Sequence, residues 1–505
     1  MAARPSSPAP WLALGAAIGL VFAAVLGPLR PLGAADEPGG RGGSAAEPDQ
    51  REGYEEDDPN EEAAEQDEGT EKRMEALEEA VRNGSFGKAT HVKGRAAPGW
   101  NGQQVIAPTV DDWEPAVAAD PSAPYVYLLT TRYAAKPCPG NCPSPWIALH
   151  VSSDGGHTFS AGTPLCACKG SGQFDPIVEV VRNTGAVYAL YMNGFNVVFT
   201  KSMNHGAANS WTAPVNTYGN VSWNDKPVLA VSDDGRDVYV SFNGPTAGDL
   251  WMAQSHDFGT TWTQTKVVDS ARYYYAYDAD VLTDGTVVFA EGSVDYGSSG
   301  QKGNATGTVQ QVVVRSTNRG SSWSVVPIDE NPVGLACVAG GCSSDFYIGH
   351  LGIAGDGGNQ LTLVYDAATT SGGLQSIYVR RSADKGVTWS PRTAISAGGE
   401  EAVAPGVESV GAGDVRVVYQ QTAGANVDRW NTWSRRSIDG GATFAAAVKI
   451  SDATTGPGYV TPAGYLEIYG DYLEVGITNT GDTFAAWGEG FSYDGPGGVW
   501  YALGR

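Results

Sequence analysis

The chain has 505 residues, with 56 Asp and Glu against 32 Lys and Arg and a formal net charge of −24 at pH 7. Residues 36–80 carry −14 of that charge, so the remainder is mildly acidic. This balance argues against a nucleic acid as partner, because phosphate binding needs clustered Lys and Arg. No His-Glu-x-x-His motif and no phosphate-binding glycine loop with Lys occurs in the sequence, which therefore predicts no cofactor.

Residues 11–29 form an uncharged apolar run that follows Arg4. The run indicates a signal peptide or an uncleaved membrane anchor within residues 1–35, since its 19 residues are long for the first and near the minimum for the second. Both alternatives take the rest of the chain out of the cytoplasm. We therefore expect a secreted protein, or an extracellular one that is held to the membrane through this segment alone.

The following segment, residues 36–87, has a different composition. Residues 36–80 contain 18 Asp and Glu against four Lys and Arg, and few residues that could form a core. This composition predicts a disordered acidic linker, with a short helix between Glu71 and Arg82. A solvated tether is the simplest role for it, and a calcium-binding or partner-binding tail is the alternative.

From residue 88 to residue 505 the sequence predicts strands. Pairs of alternating apolar segments joined by a turn recur seven times, the first pair being Pro115–Asp120 and Tyr125–Leu129. The seventh module ends on Tyr501–Leu503, which we interpret as its third strand. Its fourth strand is expected from the segment near 88–108, so that the two chain ends would close a ring without exposed sheet edges.

A short phrase, Ser-x-Asp/Asn-x-Gly-x-Ser/Thr-Trp/Phe, recurs in this region, and we call each copy a box turn. Five copies begin at Ser152, Ser255, Ser316, Ser382 and Ser437, and a degenerate copy begins at Ser202. The Asp or Asn side chain can bond backbone N–H groups just ahead of it, and glycine accepts backbone angles that other residues resist. Because one active site does not need five copies, the repetition indicates a structural turn rather than a set of catalytic acids.

These copies resemble the Asp-box, or BNR, repeat of the sialidase-like β-propellers, a family that includes exo-α-sialidases. The copies begin 50 to 66 residues apart, as is typical of propeller blades with loop insertions. The resemblance implies an all-β fold, a single β-propeller of four-stranded antiparallel blades within residues 88–505. The module count favours seven blades, and six is the alternative because sialidase domains resemble a six-bladed ring. The resemblance also implies a ligand site on the face opposite the box turns.

Candidate site residues lie on that face, where first strands begin and second strands end. Carboxylates, amides and flat aromatic rings are what a sugar needs, and paired carboxylates could perform glycosidic acid–base chemistry. The catalytic candidates are Asp175, Glu291, Asp366, Tyr469 and Asp471. The substrate-binding candidates are Arg132, Arg272, Arg429, Asn193, Asn243, Trp223 and Tyr274.

Sialidase chemistry, as the resemblance implies it, needs three arginines on the substrate carboxylate, a Tyr nucleophile charged through a carboxylate, and an Asp acid–base. The three arginine candidates and the pair Tyr469 and Asp471 could fill these roles. The Arg-Ile-Pro signature of the family is absent, and Pro115 stands in a comparable place without an arginine. Two hypotheses stay open: a glycan-directed propeller, with or without glycoside hydrolase activity, and a non-catalytic scaffold that binds a protein or peptide. We expect a monomer.

Six cysteines suit an oxidising compartment. They are Cys138, Cys142, Cys166, Cys168, Cys337 and Cys342. The first four lie in two loops of one module, and we expect these loops to be cross-linked to each other. The last two are expected to pair across a glycine-rich loop. A four-cysteine zinc site is the competing interpretation, and no metal site is predicted.

Overall fold

A computed structural model describes residues 59–84, 94–134, 136–138, 142–166, 169, 172–221, 224–244, 249–270, 272–296, 305–336, 349–411, 413–423, 429–469, 472–491 and 495–505. They belong to one compact unit, Arg51–Arg505. Helix α1 spans Pro59–Asn83, so it contains the helix predicted at Glu71–Arg82 and begins earlier. The predictions for residues 1–35 and 36–58 lie outside the described residues. In the part of the chain that is described, no helix has both the length and the apolar character needed to cross a bilayer.

The described strands form seven antiparallel sheets, the blades of a ring. Blades 1 to 3 consist of β2 (Asp111–Ala119), β3 (Val126–Tyr133), β4 (Trp146–Ser152) and β5 (Thr163–Pro164); β6 (Gln173–Val180), β7 (Val187–Asn193), β8 (Val197–Ser202) and β9 (Val215–Asn216); and β10 (Asp225–Val231), β11 (Val238–Asn243), β12 (Leu250–Ser255) and β13 (Thr263–Val268). Blades 4 and 5 consist of β14 (Tyr273–Val281), β15 (Val287–Asp295), β16 (Thr306–Ser316) and β17 (Ser324–Pro332); and β18 (Leu351–Gly355), β19 (Leu361–Ala368), β20 (Gln375–Ser382) and β21 (Thr393–Ala394).

The last two blades carry additional short strands. Blade 6 consists of β22 (Ala402–Val410), β23 (Asp414–Thr422), β24 (Trp430–Ser437) and β25 (Val448–Lys449), extended by the hairpin of β26 (Val460–Thr461) and β27 (Gly464–Tyr465). Blade 7 consists of β29 (Glu474–Ile477), β30 (Thr483–Gly490), β31 (Gly497–Gly504) and β1 (Gln104–Val105), with β28 (Glu467–Ile468) also paired to β30. Successive inner strands contact one another from β2 to β29, and β29 contacts β2. The seven-bladed all-β propeller is thus confirmed.

Strand β1 closes the ring as predicted from the sequence. It pairs with the last strand, β31, through Gln104 opposite Tyr501 and Val105 opposite Trp500. The core of the ring lies between neighbouring blades, where apolar side chains such as Leu129 of β3 and Val178 of β6 are buried together. Both chain ends of the propeller therefore share one sheet. Like the other blades, this sheet packs against an apolar core on each of its two sides.

The five box turns have one geometry, and each follows the third strand of its blade. In every copy the Ser hydroxyl accepts the Gly N–H at 2.8 to 3.0 Å. The Asp or Asn Oδ1 accepts the N–H of the residue four positions ahead, also at 2.8 to 3.0 Å. The glycines have φ between 75° and 89°, a left-handed conformation that favours glycine. All five turns lie on one face of the ring, because all third strands end there.

The disulfides differ in part from the prediction. Cys138 is joined to Cys142 within one loop, so these two cysteines do not cross-link their loop to the neighbouring one. Cys166 is also disulfide-bonded. The other three cysteines for which disulfides were predicted lie outside the described residues: Cys168, Cys337 and Cys342. The first pair is four positions apart in sequence with Cα atoms 5.8 Å apart, so the loop can form this bridge without another segment.

Candidate functional site

The end of each blade away from the box turns forms what we call the opposite face. Here the inner strands begin and the second strands end, as where Asp111 of β2 pairs with Tyr133 of β3. Residues at this face come from all seven blades and meet around the ring axis. The sequence predicts a ligand site on this face. The position of each candidate side chain therefore determines which chemistry the face could support.

Four inner strands contain the same irregularity close to this face. Glu114, Asp175, Lys226 and Ala404 have φ between 46° and 51°, and each precedes a proline at a shift in strand register. A left-handed non-glycine residue costs on the order of 1–3 kcal/mol and persists where surrounding contacts over-determine it. The repeated X-Pro dipeptide is the sequence signal for this bulge, which our sequence analysis did not use.

Two of the four bulged residues are held by carboxylates of the preceding blade. Glu114 Oε2 accepts the Asp175 N–H at 3.0 Å, and Asp366 Oδ2 accepts the Ala404 N–H at 3.1 Å. In blade 4, Glu291 Oε1 accepts the hydroxyl of Ser241 from blade 3 at 2.7 Å. These bonds run from one blade to the next, so the carboxylates of the opposite face join blades to each other.

Three of the predicted catalytic residues are among these bulged residues and interblade carboxylates. Asp175, Glu291 and Asp366 lie on the predicted face, but they are at most 3% exposed. Burial raises the pKa of Glu291 to about 8 despite the Ser241 hydrogen bond, and burial also raises the pKa of Asp366 well above its usual range. All three side chains are covered, and those of Glu291 and Asp366 bond neighbouring blades, so their geometry gives no support to the predicted catalytic roles.

The arginine candidates do not form the predicted carboxylate-binding group. The Arg132 guanidinium binds both oxygens of Asp112, at 2.7 and 2.8 Å. Arg272 donates to the Ser293 hydroxyl and carbonyl at 2.8 Å each, and to a carbonyl of the third strand of its own blade. Arg429 lies just before β24 in blade 6 and is half-buried. Two of the three guanidinium groups are thus bonded inside blades 1 and 4, and a shared carboxylate site for all three stays a prediction.

The remaining polar and aromatic candidates have varied surroundings. Asn193 and Asn243 end β7 and β11, and Asn243 is buried with both side-chain polar atoms unpartnered among the described residues. Tyr274 is buried in an apolar cluster with Tyr239. Trp223 and Asp471 lie outside the described residues.

Tyr469 does form a tyrosine–carboxylate pair, with a partner that the sequence did not indicate. Its hydroxyl donates a hydrogen bond to Asp111 Oδ1, and Arg73 Nη1 of α1 donates to the same hydroxyl at 2.8 Å. The Arg73 guanidinium carbon lies 4.1 Å from the ring centre of Trp113 and 4.9 Å from that of Tyr133. We call Asp111, Trp113, Tyr133 and Tyr469 the arginine cage. Nothing in the sequence of this acidic helix distinguishes Arg73 from its other basic residues, Lys72 and Arg82.

A second feature of this face is an open cleft on blade 6 of about 640 Å³. Tyr419 and Trp433 stand opposite each other in the sheet, and Gln421 stands opposite Asn431 one step nearer the opposite face. Since side chains two residues apart share one side of a strand, these four form one patch. The cleft is completed by side chains of neighbouring segments, Glu400 and Lys449. We call these six residues the blade 6 cleft.

The ring axis contains a third feature, an acidic channel of about 390 Å³. Glu179, Asp278, Glu408 and Glu474 line it together with Arg182. Burial and mutual repulsion raise the pKa of Glu179 and of Glu474 well above the usual range. Among the described residues, no group of three His, Cys, Asp or Glu has the geometry to hold a metal ion. The channel lies nearer the box turns, because Glu179, Asp278 and Glu408 come from the later halves of their inner strands.

Comparison with known proteins gives a likeness of fold. No family model and no curated protein matches the chain. Among solved structures, the Hadza microbial sialidase Hz136 is 12% identical, with 75% of this chain and 76% of that chain covered and a TM-score of 0.42. A polysaccharide lyase of family PL25, an ulvan lyase, is 12% identical, with 79% and 95% covered and a TM-score of 0.47. The NanB sialidase of Streptococcus pneumoniae is 12% identical, with 83% and 70% covered and a TM-score of 0.40.

Proposed function

We propose that this protein is an exported, non-catalytic glycan-binding propeller whose glycan site is the blade 6 cleft. The observation that carries the proposal is the cross-strand patch in which an aromatic pair lies next to an amide pair. Sugars are bound by flat apolar rings together with hydrogen-bonding groups fixed in place, and ligand pockets commonly enclose 300–1,000 Å³. The volume of the cleft, about 640 Å³, falls in this range.

The walls of the cleft are held rigid by the amides. Asn431 donates to the Ala463 carbonyl at 3.0 Å and accepts the Ser451 hydroxyl at 3.1 Å. Gln421 accepts the Ala397 N–H at 2.9 Å and donates to Glu400. Walls ordered before a ligand arrives lower the entropic cost of binding. The amides therefore serve to position the aromatic floor and the charged rim.

The ligand contacts are supplied by Trp433, Glu400 and Lys449, because Tyr419 is itself buried. Trp433 is half-buried, and its Nε1 has no hydrogen-bond partner among the described residues. The exposed part of the indole offers a surface on which a sugar ring can stack, whereas the N–H itself is covered by protein. Lys449 is exposed at the rim and Glu400 is half-exposed. This pair can bond hydroxyl groups, and Lys449 can also bind an acidic sugar.

Binding without hydrolysis follows from the carboxylates. Glycoside hydrolysis needs two of them at the scissile bond, about 5 Å apart or 6.5–9.5 Å apart. The described lining of the cleft offers one carboxylate, Glu400. The predicted catalytic carboxylates Asp175, Glu291 and Asp366 lie in other blades, where they are buried. These positions support a binding role rather than catalysis.

The test is glycan-array binding by the full chain, followed by calorimetry on the best ligand. We expect Trp433→Ala to weaken binding at least tenfold, and Lys449→Gln to weaken binding of acidic glycans more than that of neutral ones. Trp262→Ala, at a box turn on the other face, is the matched control and should leave binding unchanged. No binding on the array, or equal loss in Trp262→Ala, would overturn the proposal. Turnover of a fluorogenic sialoside would overturn its non-catalytic part.

A further inference from the structure

Helix α1 contacts the propeller through a narrow stripe. In the part of the helix whose side chains are described, Arg73 is 8% exposed and Ala80 is 6% exposed. Met74 and Leu77 are half-buried against the same core cluster, and most of the other side chains are exposed. The helix contains nine Asp and Glu against three Lys and Arg. The described part of its docking surface therefore includes one buried basic side chain and a small apolar contact.

The site that receives Arg73 has the geometry of a cation-binding cage. Three aromatic rings surround the guanidinium, with centres 4.1, 4.9 and 5.5 Å from its carbon atom, in Trp113, Tyr133 and Tyr469 respectively. A cation within about 6 Å of an aromatic ring centre is attracted by the ring, more strongly when water is excluded. Three such rings in one place are therefore specific for a cationic group.

The carboxyl group at the base of the cage adds a second determinant. Asp111 is fully buried, and its Oδ1 accepts from the Tyr469 hydroxyl and from the Gly497 N–H. Its Oδ2 has no hydrogen-bond partner among the described residues while Arg73 is docked. A side chain added at Gly495 would lie within 3.1 Å of Arg73, Tyr469 and Asp111. The cage is thus closely walled, and it retains one buried acceptor that α1 does not use.

We propose that the arginine cage is a binding site for the guanidinium group of an arginine-bearing partner peptide, and that Arg73 occupies it as a displaceable intramolecular ligand. Guanidinium fits this site better than ammonium, because its plane stacks on aromatic rings and its fork can reach two acceptors at once. The partner's arginine would stack on Trp113 and bond both Tyr469 and the free oxygen of Asp111. This site is separate from the proposed glycan site, so either proposal can fail without the other.

The covalent connection between Arg73 and the cage determines how strongly a free peptide must compete with Arg73. Arg73 belongs to the same chain as the cage, so it competes with a free peptide at a high effective concentration. Removal of Arg73 should therefore raise the apparent affinity for an arginine peptide by a large factor. Arg82 lies on the same helix but is exposed, so its removal should have no such effect.

The experiment uses the full chain and a fluorescein-labelled pentapeptide, Gly-Gly-Arg-Gly-Gly, with matched lysine and citrulline peptides. We expect Arg73→Ala to bind the arginine peptide at least tenfold more tightly than the parent, and Arg82→Ala to bind it as the parent does. Adding Asp111→Asn to Arg73→Ala should reverse the gain, and the citrulline peptide should not bind. A folded Arg73→Ala protein without any gain, or equal binding of the lysine peptide, would overturn the proposal.

A second measurement decides the matter if Arg73→Ala does not fold. Hydrogen exchange of the α1 amides in the parent is followed as the arginine peptide is raised to tens of millimolar. We expect faster exchange in residues 71–83 with the arginine peptide and no change with the citrulline peptide. If α1 exchanges at the same rate with both peptides, the helix is a fixed part of the fold and the cage takes no external ligand.

Discussion

The two faces of the ring use carboxyl groups in opposite ways. At the box turn of blade 3, the backbone N–H and the hydroxyl of Thr261 hold the pKa of Asp257 at about 2. In blade 4, burial raises the pKa of Glu291 to about 8. The first carboxylate accepts from its own turn, whereas the second accepts from a residue of the neighbouring blade.

This difference teaches that the position along a strand, rather than the residue type, determines the role of each acid. A box turn closes one hairpin with bonds between residues at most four positions apart. A carboxylate on the opposite face joins two blades through residues 38 to 61 positions apart. Loss of the second kind should therefore affect the ring, and loss of the first kind should affect one blade.

The largest expected effect is on Asp366, which joins blade 5 to blade 6. Its side chain accepts the N–H groups of Gly349, His350 and Ala404, at 2.7, 3.2 and 3.1 Å. Asp366→Ala leaves these buried donors without an acceptor, so we expect the free energy of unfolding to fall by about 3–5 kcal/mol. Urea unfolding followed by tryptophan fluorescence measures the loss.

The matched control for that variant is Asp384→Ala, in the box turn of the same blade. Its carboxylate accepts from Thr388 in an exposed turn, where water can replace the lost acceptor. We expect a clearly smaller loss than for Asp366→Ala. Equal losses in the two variants would show that the two faces contribute alike, and the contrast between them would fail.

Ring closure should respond next most strongly, through Gln103. This buried side chain accepts the N–H groups of Asp452 and Ala453 at 2.7 and 2.9 Å and donates to Glu489 at 2.5 Å. Gln103→Ala should lower the free energy of unfolding by about 2–3 kcal/mol, because these partners stay buried. Gln104→Ala, at the half-buried neighbouring position, is the control and should cost less. Thermal unfolding of both variants gives the comparison.

Much of the ring was predictable from the sequence. The seven modules and the closing segment near 88–108 follow from strand alternation, which local residue patterns encode. The burial of Glu291 and Asp366 was not predictable, because the sequence around a strand-end carboxylate is the same whether its side chain is exposed to water or contacts the next blade. Burial and a partner in another module decide between these, and neither is visible in a single stretch of sequence.

The arginine cage shows the same limit over a longer distance. Arg73 and Tyr469 are 396 positions apart, and nothing in an acidic helical segment marks one of its arginines as the buried one. The aromatic residues of this face were visible as a group. Their assignment to a cation rather than a sugar needed the position of α1, which depends on tertiary contacts.

The pH dependence of the free energy of unfolding tests the burial of a carboxyl group directly, with an effect of moderate size. Because the pKa of Glu291 rises from 4.5 to about 8 on folding, its contribution is fully present below pH 4.5 and is lost as the pH rises through 8. Glu291→Gln should reduce the loss of stability between pH 5.5 and 8.5, measured by urea unfolding. Glu330→Gln, exposed in the same blade, should leave that loss unchanged.

The smallest expected effect is at Ser382, which begins a box turn. Its hydroxyl accepts the buried Gly386 N–H at 2.8 Å and donates to Asp384 at 2.8 Å. Ser382→Ala should lower the free energy of unfolding by about 1 kcal/mol, and hydrogen exchange should rise in the β20 and β21 hairpin while blades 1 to 3 keep parental rates. Since the turn bonds lie within one hairpin, exchange that rises around the whole ring would mean that box turns also hold blades together, and the division of labour between the two faces would have to be abandoned.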